Sequence, residues 1–173
     1  MIELTPVAAV IVDVIVWALT GTAIGFGLHR VPADRFEADS WLTRLRAFER
    51  DGRWYEAHLG IKRWKSRLPE AGALFRGGFS KRSLATGSRA HLARFVIETR
   101  RAEVTHWAVL AVAPAFALWN PWGLTVVMWC YAVVANVPCL VIQRYNRARL
   151  LRVLDREVRS GAAAGGAPRV DPA

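Results

Sequence analysis

Cysteine is scarce in this sequence: Cys130 and Cys139 are the only two in 173 residues. Nine residues apart in one apolar stretch, they would stand about 13.5 Å apart along a helix axis, beyond disulfide reach. They read as packing residues, and no zinc-type spacing is present. Basic residues are missing from two long stretches: no Lys or Arg precedes Arg30, and none lies between residues 102 and 143. Tyrosine is rare as well, three against eight Trp. No P-loop, Rossmann glycine fingerprint, GxSxG elbow or nucleic-acid module can be recognised, so nothing points to nucleotide hydrolysis, dinucleotide chemistry, a serine hydrolase or a nucleic-acid partner.

What is present is an apolar chain with a strong positive charge. Hydrophobic residues make up 53% and the formal net charge is +10. Soluble basic proteins seldom combine the two, whereas apolar spans with basic flanks do. The Trp excess suits membrane interfaces, where an apolar ring and a hydrogen-bonding N–H are both satisfied. The fold class expected is therefore an all-α membrane protein.

Three stretches read as spans: roughly 6–28, 104–119 and 122–142. The first and third are long enough at 1.5 Å per residue, while the second gives only about 24 Å of helix. Trp119-Asn120-Pro121-Trp122 between the last two is a turn signal flanked by interfacial Trp, which predicts a tight transmembrane hairpin. The first stretch has no basic n-region, carries Glu3 and lacks an Ala-x-Ala site, so it reads as an uncleaved anchor. Gly21 and Gly25 add a small-xxx-small pattern suited to close helix packing. Asp13 inside this anchor is expected either to be protonated or to pair with Asn120 or Asn136 across the bundle.

Seventeen basic residues lie between Arg30 and Arg101, and the remaining seven from Arg144 onward. The positive-inside rule then places the N-terminus outside, segment 29–103 inside, the Asn-Pro turn outside and the C-terminus inside, in a multi-pass cell-membrane protein. The expected organisation is one membrane-embedded domain, 1–159, made of the anchor, the cytoplasmic segment 29–103, the hairpin 104–142 and a basic juxtamembrane helix 143–159. A Gly/Ala/Pro-rich tail, 160–173, reads as disordered. Within the cytoplasmic segment, apolar residues from Phe36 to Leu59 recur at spacings of three and four, which predicts an amphipathic helix over 34–59, interrupted at Gly52 and lying on the membrane surface. Pro69, Gly72, Gly77 and Gly78 make 61–84 loop-rich. Residues 89–118 read as a helix running into the second span.

The richest chemistry lies in Glu98-Thr-Arg-Arg-Ala-Glu103-Val-Thr-His106. On a helix Glu98, Thr99, Ala102, Glu103 and His106 share a face about 140° wide, flanked by Arg100 and Arg101. Glu103 and His106, at i and i+3, can hydrogen-bond, and a carboxylate that orients an imidazole sets up a general base. The plainer reading is a salt-bridged helix end at the interface. Glu103-x-x-His106 is also half of a di-iron carboxylate motif, but a second half is missing and four His are too few for a histidine-rich desaturase, so no metal is expected. Gln143-Arg144-Tyr145-Asn146-Arg147-Ala-Arg149 combines cations with hydrogen-bonding groups suited to a phosphate or a sugar. It also anchors the third span whatever its function. His29 and Asp34 fit a His-x4-Asp spacing interrupted by Pro32.

Trp64-Lys65-x-x-Leu68-Pro69 with Gly72 and Phe75, then Gly78-Phe79-x-Lys81, Glu98-Thr-Arg-Arg-x-Glu103-x-x-His106-Trp107, Pro114, Trp119-Asn120, Asn136-x-Pro138 and Gln143-Arg-Tyr-Asn-Arg147 recur in an order that resembles the glycosyl-4,4'-diaponeurosporenoate acyltransferases. The likeness covers about residues 55–150. It implies a membrane acyltransferase of carotenoid biosynthesis, moving a fatty acyl chain from an activated donor such as acyl-CoA to a sugar hydroxyl of a membrane glycolipid. No cofactor beyond that co-substrate is implied. The compatible mechanism has His106 as base, oriented by Glu103 or Glu98, with Arg144 and Arg147, joined by Lys65 and Arg101, holding donor phosphates or the oxyanion, and with Arg100, Tyr145 and Asn146 as further substrate-binding residues. The competing class is a non-enzymatic scaffold that binds anionic lipid through its Arg-rich face. A third is an iron-dependent lipid oxidase. The oligomeric state is open.

Overall fold

The computed structural model describes residues 5–49, 51–67 and 89–165, and every regular element among them is helical. Helix α1 runs Pro6–Arg30. Thr5 opens it, its side chain accepting from the Ala8 N–H at 3.4 Å, and Pro6 sits at the first turn, where its missing N–H costs nothing. Val31 ends it in extended geometry, the conformation imposed on a residue before proline. Helices α2 (Arg53–Leu59) and α3 (Ile61–Trp64) are short. Helix α4 spans Arg89–Val112 and passes into a 3-10 helix, Ala113–Leu118, around Pro114. Helix α5 spans Trp122–Gly165 with Pro138 in its interior.

Among the described residues two helices, α1 and α5, are long and apolar enough to cross a membrane. The third expected span, 104–119, is not a helix of its own: it is divided between the end of α4 and the 3-10 helix, because Pro114 cannot donate to the α ladder. The amphipathic helix expected over 34–59 is also corrected. The structure has 3-10 turns at Ala33–Phe36 and Ala47–Glu49 with α2 after them. Ser40 and Thr43 bond each other's backbone and hydroxyl groups, and Glu49 accepts from the Arg46 N–H at 2.6 Å. Such local side-chain bonds compete with the helix. Within the loop expected at 61–84, residues 61–67 are helical, in α3 and the 3-10 turn Lys65–Arg67, and the rest lies outside the described residues. Helix α5 continues beyond residue 160, where the tail was expected, through the Ala162–Ala164 run, whose residues favour helix.

The contacts divide the chain into two compact units, Met1–Arg44 with Ile97–Arg144 and Leu45–Val96 with Tyr145–Ala173. In the first, Arg101 reaches the carbonyls at the end of α1, while Trp119 and Asn120 reach Asp13 near its start. Residues 101–119 therefore run antiparallel to α1. The first half of α5 runs back along the same stretch: Trp129 donates to the Ala113 carbonyl at 3.0 Å, and Asn136 meets His106. Phe116, fully buried, stacks on Trp17 and packs against the tilted Trp119 ring, with centroids 4.9 and 5.0 Å away. The outward faces of α1 and α5 carry large aliphatics, Val7 and Val134 each 72% exposed.

The second unit is built on Leu92, Phe95, Val96 and Leu150, with Leu151 and Leu154 against them. The repeat of three and four along α4 and α5 makes this seam. Tyr55, Ile61 and Tyr145 are buried in the same unit.

Candidate functional site

On the inward face of α4 in the first unit, Thr99 and Glu103 are buried as their shared stripe predicts. Glu103 has no exposed surface, and the Arg144 Nη1 donates to its Oε1 at 2.5 Å. A charge-assisted bond of this kind is stronger than the imidazole contact the i, i+3 spacing offered. Arg144 also donates to the Leu42 carbonyl at 3.3 Å and the Arg44 carbonyl at 3.0 Å, bracing the turn before the second unit begins.

His106 takes a different partner. Its Nδ1 lies 2.9 Å from the Asn136 Oδ1. The Asn136 Nδ2 donates to the Ala132 carbonyl at 2.9 Å, one turn back on α5. That second bond fixes which end of the amide faces the ring. An amide oxygen only accepts, so Nδ1 carries a hydrogen, and in the neutral ring Nε2 holds the lone pair. Asn136 is buried and His106 half-buried. The sequence reading placed Asn136 in a motif without giving it this role. Thirty residues separate it from His106, and only the α4–α5 hairpin, foreshadowed by the Asn-Pro turn, could have suggested the meeting.

The flanking arginines are committed to the protein itself. Arg101 pairs with Glu98 at 3.1 Å and donates to the Leu28, Val31 and His29 carbonyls at 2.5, 2.7 and 3.2 Å. It thereby caps the carbonyls that the end of α1 leaves unsatisfied, where a cation also meets the negative end of the helix dipole. Arg100 pairs with Asp39 at 2.7 Å and donates to the Glu37 and Phe36 carbonyls at 2.9 and 3.2 Å. Asp34 Oδ1 accepts from the Arg35 N–H at 2.9 Å.

The remaining expected binding residues belong to the second unit. Tyr145 is fully buried and donates to the Glu56 Oε1 at 2.8 Å. Lys62 holds the other carboxylate oxygen at 2.6 Å. Lys65 Nζ stands 4.7 Å over the Tyr145 ring, and the Arg149 guanidinium is 5.7 Å from it. Arg147 is fully buried and Asn146 half-buried. Tyr55 donates to Glu49 and packs edge-on to Tyr145 at 6.1 Å. The Lys62 bond, and then the Tyr145 bond, hold the Glu56 carboxyl below its usual range. Burial first, and then Glu56, push the Tyr145 phenol up. Arg149, the last residue of the basic candidate stretch, sits one turn beyond Tyr145 on the same face.

Among the described residues no group of three or more His, Cys, Asp or Glu could hold a metal ion. Both cysteines are free.

The model of the glycosyl-4,4'-diaponeurosporenoate acyltransferase family matches residues 38–156. Relatives bearing that name in Staphylococcus aureus include one from strain MRSA252, 32% identical over 133 residues, covering 73% of this chain and 78% of the relative. Another, from strain bovine RF122 / ET3-1, is 31% identical over 132 residues with the same coverage. A third, from strain Newman, is 30% identical over 133 residues, 74% of this chain and 79% of the relative. No solved structure matches. The matched stretch holds His106, Asn136, Glu103 and Arg144 together, and on that extent of likeness the chain belongs to the glycosyl-4,4'-diaponeurosporenoate acyltransferase family of enzymes.

Proposed function

We propose that this chain is a membrane acyltransferase that moves a fatty acyl group from an activated donor, such as an acyl-CoA, to a sugar hydroxyl of a membrane glycolipid, of which a carotenoid glycoside is the instance its relatives' names give. The observation that carries the mechanism is the fixed imidazole of His106, whose Nε2 lone pair is left for a proton. The acceptor hydroxyl loses its proton to Nε2 as its oxygen attacks the thioester carbonyl. The tetrahedral adduct collapses with cleavage of the carbon–sulfur bond, and the imidazolium returns the proton to the departing thiolate. The products are an ester and a free thiol.

The reading of topology follows the charges. With the basic ends of α1 and α5 both on the cytoplasmic side, residues 104–119 must return the chain outward, and the antiparallel course of 101–119 beside α1 supports that third crossing. The aliphatic outward faces of α1 and α5 suit lipid contact.

The test is lipid and pigment profiling by mass spectrometry of a strain lacking the chain, complemented with wild type or with His106→Ala. Loss of an acylated glycolipid with its unacylated precursor accumulating, restored only by wild type, is the expected result. A general base typically contributes about 10²–10⁴-fold, so the variant should restore little. Equal rescue by His106→Ala would remove His106 as the base, and unchanged acylation in the strain lacking the chain would move the assignment to a non-enzymatic lipid-binding module.

A further inference from the structure

The partner of His106 is an amide rather than a carboxylate. In the first unit the chain of contacts is linear: the Ala132 carbonyl accepts from Asn136 Nδ2, and Asn136 Oδ1 faces His106 Nδ1, each at 2.9 Å. Asn136 is 6% exposed, so water offers it few alternatives. Reversing the amide would set its NH₂ against the ring and its oxygen against a carbonyl, losing the bond to Ala132 at a buried position. We infer that Asn136 is the positioning residue of His106: it holds the ring in the Nδ1–H tautomer and aims Nε2. This rests on the reading of His106 as the base and adds to it how the base is set.

The choice of an amide has a chemical consequence. A carboxylate at Nδ1 would favour the imidazolium and retain the abstracted proton. A neutral amide orients the ring equally well without adding that attraction, which suits a base that must give the proton back within one turnover. The charged groups on the same elements do not take the place of a carboxylate at Nδ1. Glu103 on α4 is held by Arg144 of α5, Arg101 is spent on Glu98 and the end of α1, and α1 has no charged residue between Asp13 and His29.

The experiment has two readings on the full chain purified in detergent. Imidazole ¹⁵N NMR, with the His106 signals assigned by their loss in His106→Ala, should show the Nδ1–H tautomer in wild type and a shift toward mixed tautomers in Asn136→Leu. The second reading is a pH profile of acyl transfer with glycosyl-4,4'-diaponeurosporenoate and palmitoyl-CoA. Asn136→Leu should lower kcat about 10²-fold with KM little changed, as expected for a misaimed group. Asn136→Asp keeps the acceptor and the volume, so it should keep activity with the acid limb moved up by roughly 1–3 pH units. An Nε2–H tautomer in wild type, or a spectrum and a pH profile that neither variant alters, overturns the inference. If this happens while His106→Ala is inactive, only the role of Asn136 falls. If His106→Ala is fully active, the base assignment falls and the positioning role with it.

Discussion

Arg144 Nη1 and Glu103 Oε1 meet at 2.5 Å, tying α5 to α4 around a carboxylate with no exposed surface. Removing one member of a buried pair strands the other charge, which costs about 3–5 kcal/mol. Arg144→Leu and Glu103→Leu should each lower the unfolding midpoint in detergent strongly. The double variant should recover much of the loss, because no lone charge remains. Additive losses in that cycle would show that the pair is not coupled and would return Glu103 to consideration as a partner of the reaction.

Asp13 Oδ1 accepts from Trp119 Nε1 and Asn120 Nδ2, both at 2.8 Å. These bonds pin the Trp119–Trp122 turn to α1. Asp13→Leu leaves the buried Asn120 donor and the half-buried Trp119 donor without their acceptor and should cost about 1–3 kcal/mol. Thermal unfolding followed by Trp fluorescence measures it, and the emission of Trp119 should change in the folded state. A variant as stable as wild type would mean that the turn is held by Phe116 and Trp17 packing alone.

Much of the helical order was legible in the sequence. The apolar stretch 6–28 gives most of α1, and Asn120-Pro121 between apolar stretches gives the hairpin. The pairings across helices were not. Spacing along one helix exposes only neighbours three and four apart, so Glu103 looked like the partner of His106. The structure gives Glu103 to an arginine 41 residues away and His106 to an amide 30 residues away. Arg100 and Arg101 looked like ligand-binding cations, yet backbone carbonyls of residues 28–37 occupy them. Carbonyls carry no signature in a sequence. The break-up of 34–59 was hidden for a related reason: Ser40, Thr43 and Glu49 act through bonds to nearby backbone, which hydrophobic periodicity does not register.

Gly52 opens α2 with φ of +76°, a conformation that side chains other than glycine's adopt at a cost. A Cβ there would also stand 3.3 Å from Arg149 Cγ and 3.4 Å from Tyr145 Cδ2. Gly52→Ala should therefore destabilise by about 1–2 kcal/mol through left-handed strain alone, with the crowding of Tyr145 adding to it. Gly60→Ala is the control: its φ is +53°, but the added Cβ meets only the flexible Arg63 side chain at 4.0 Å. Comparable loss at both positions would show that backbone strain decides the effect; a larger loss at Gly52 would show that Tyr145 and Arg149 are held closely.

The Tyr145–Glu56 bond sets a pH window for the second unit. Glu56 has its pKa lowered, first by Lys62 and then by Tyr145, so its contribution is present above the ordinary value of 4.5 and is lost as pH falls through the depressed folded value. Tyr145 has its pKa raised, by burial and by Glu56, so the neutral phenol contributes below the ordinary value of 10.0 and that contribution is lost as pH rises through the elevated folded value. Between those limits the phenol donates to an ionised carboxylate at 2.8 Å. Tyrosinate absorbance during an alkaline titration should show a late-ionising phenol that disappears in Tyr145→Phe. Glu56→Gln removes the negative neighbour and should bring that ionisation to lower pH while burial still holds it above the ordinary range. An unmoved ionisation in Glu56→Gln would assign the whole shift to burial.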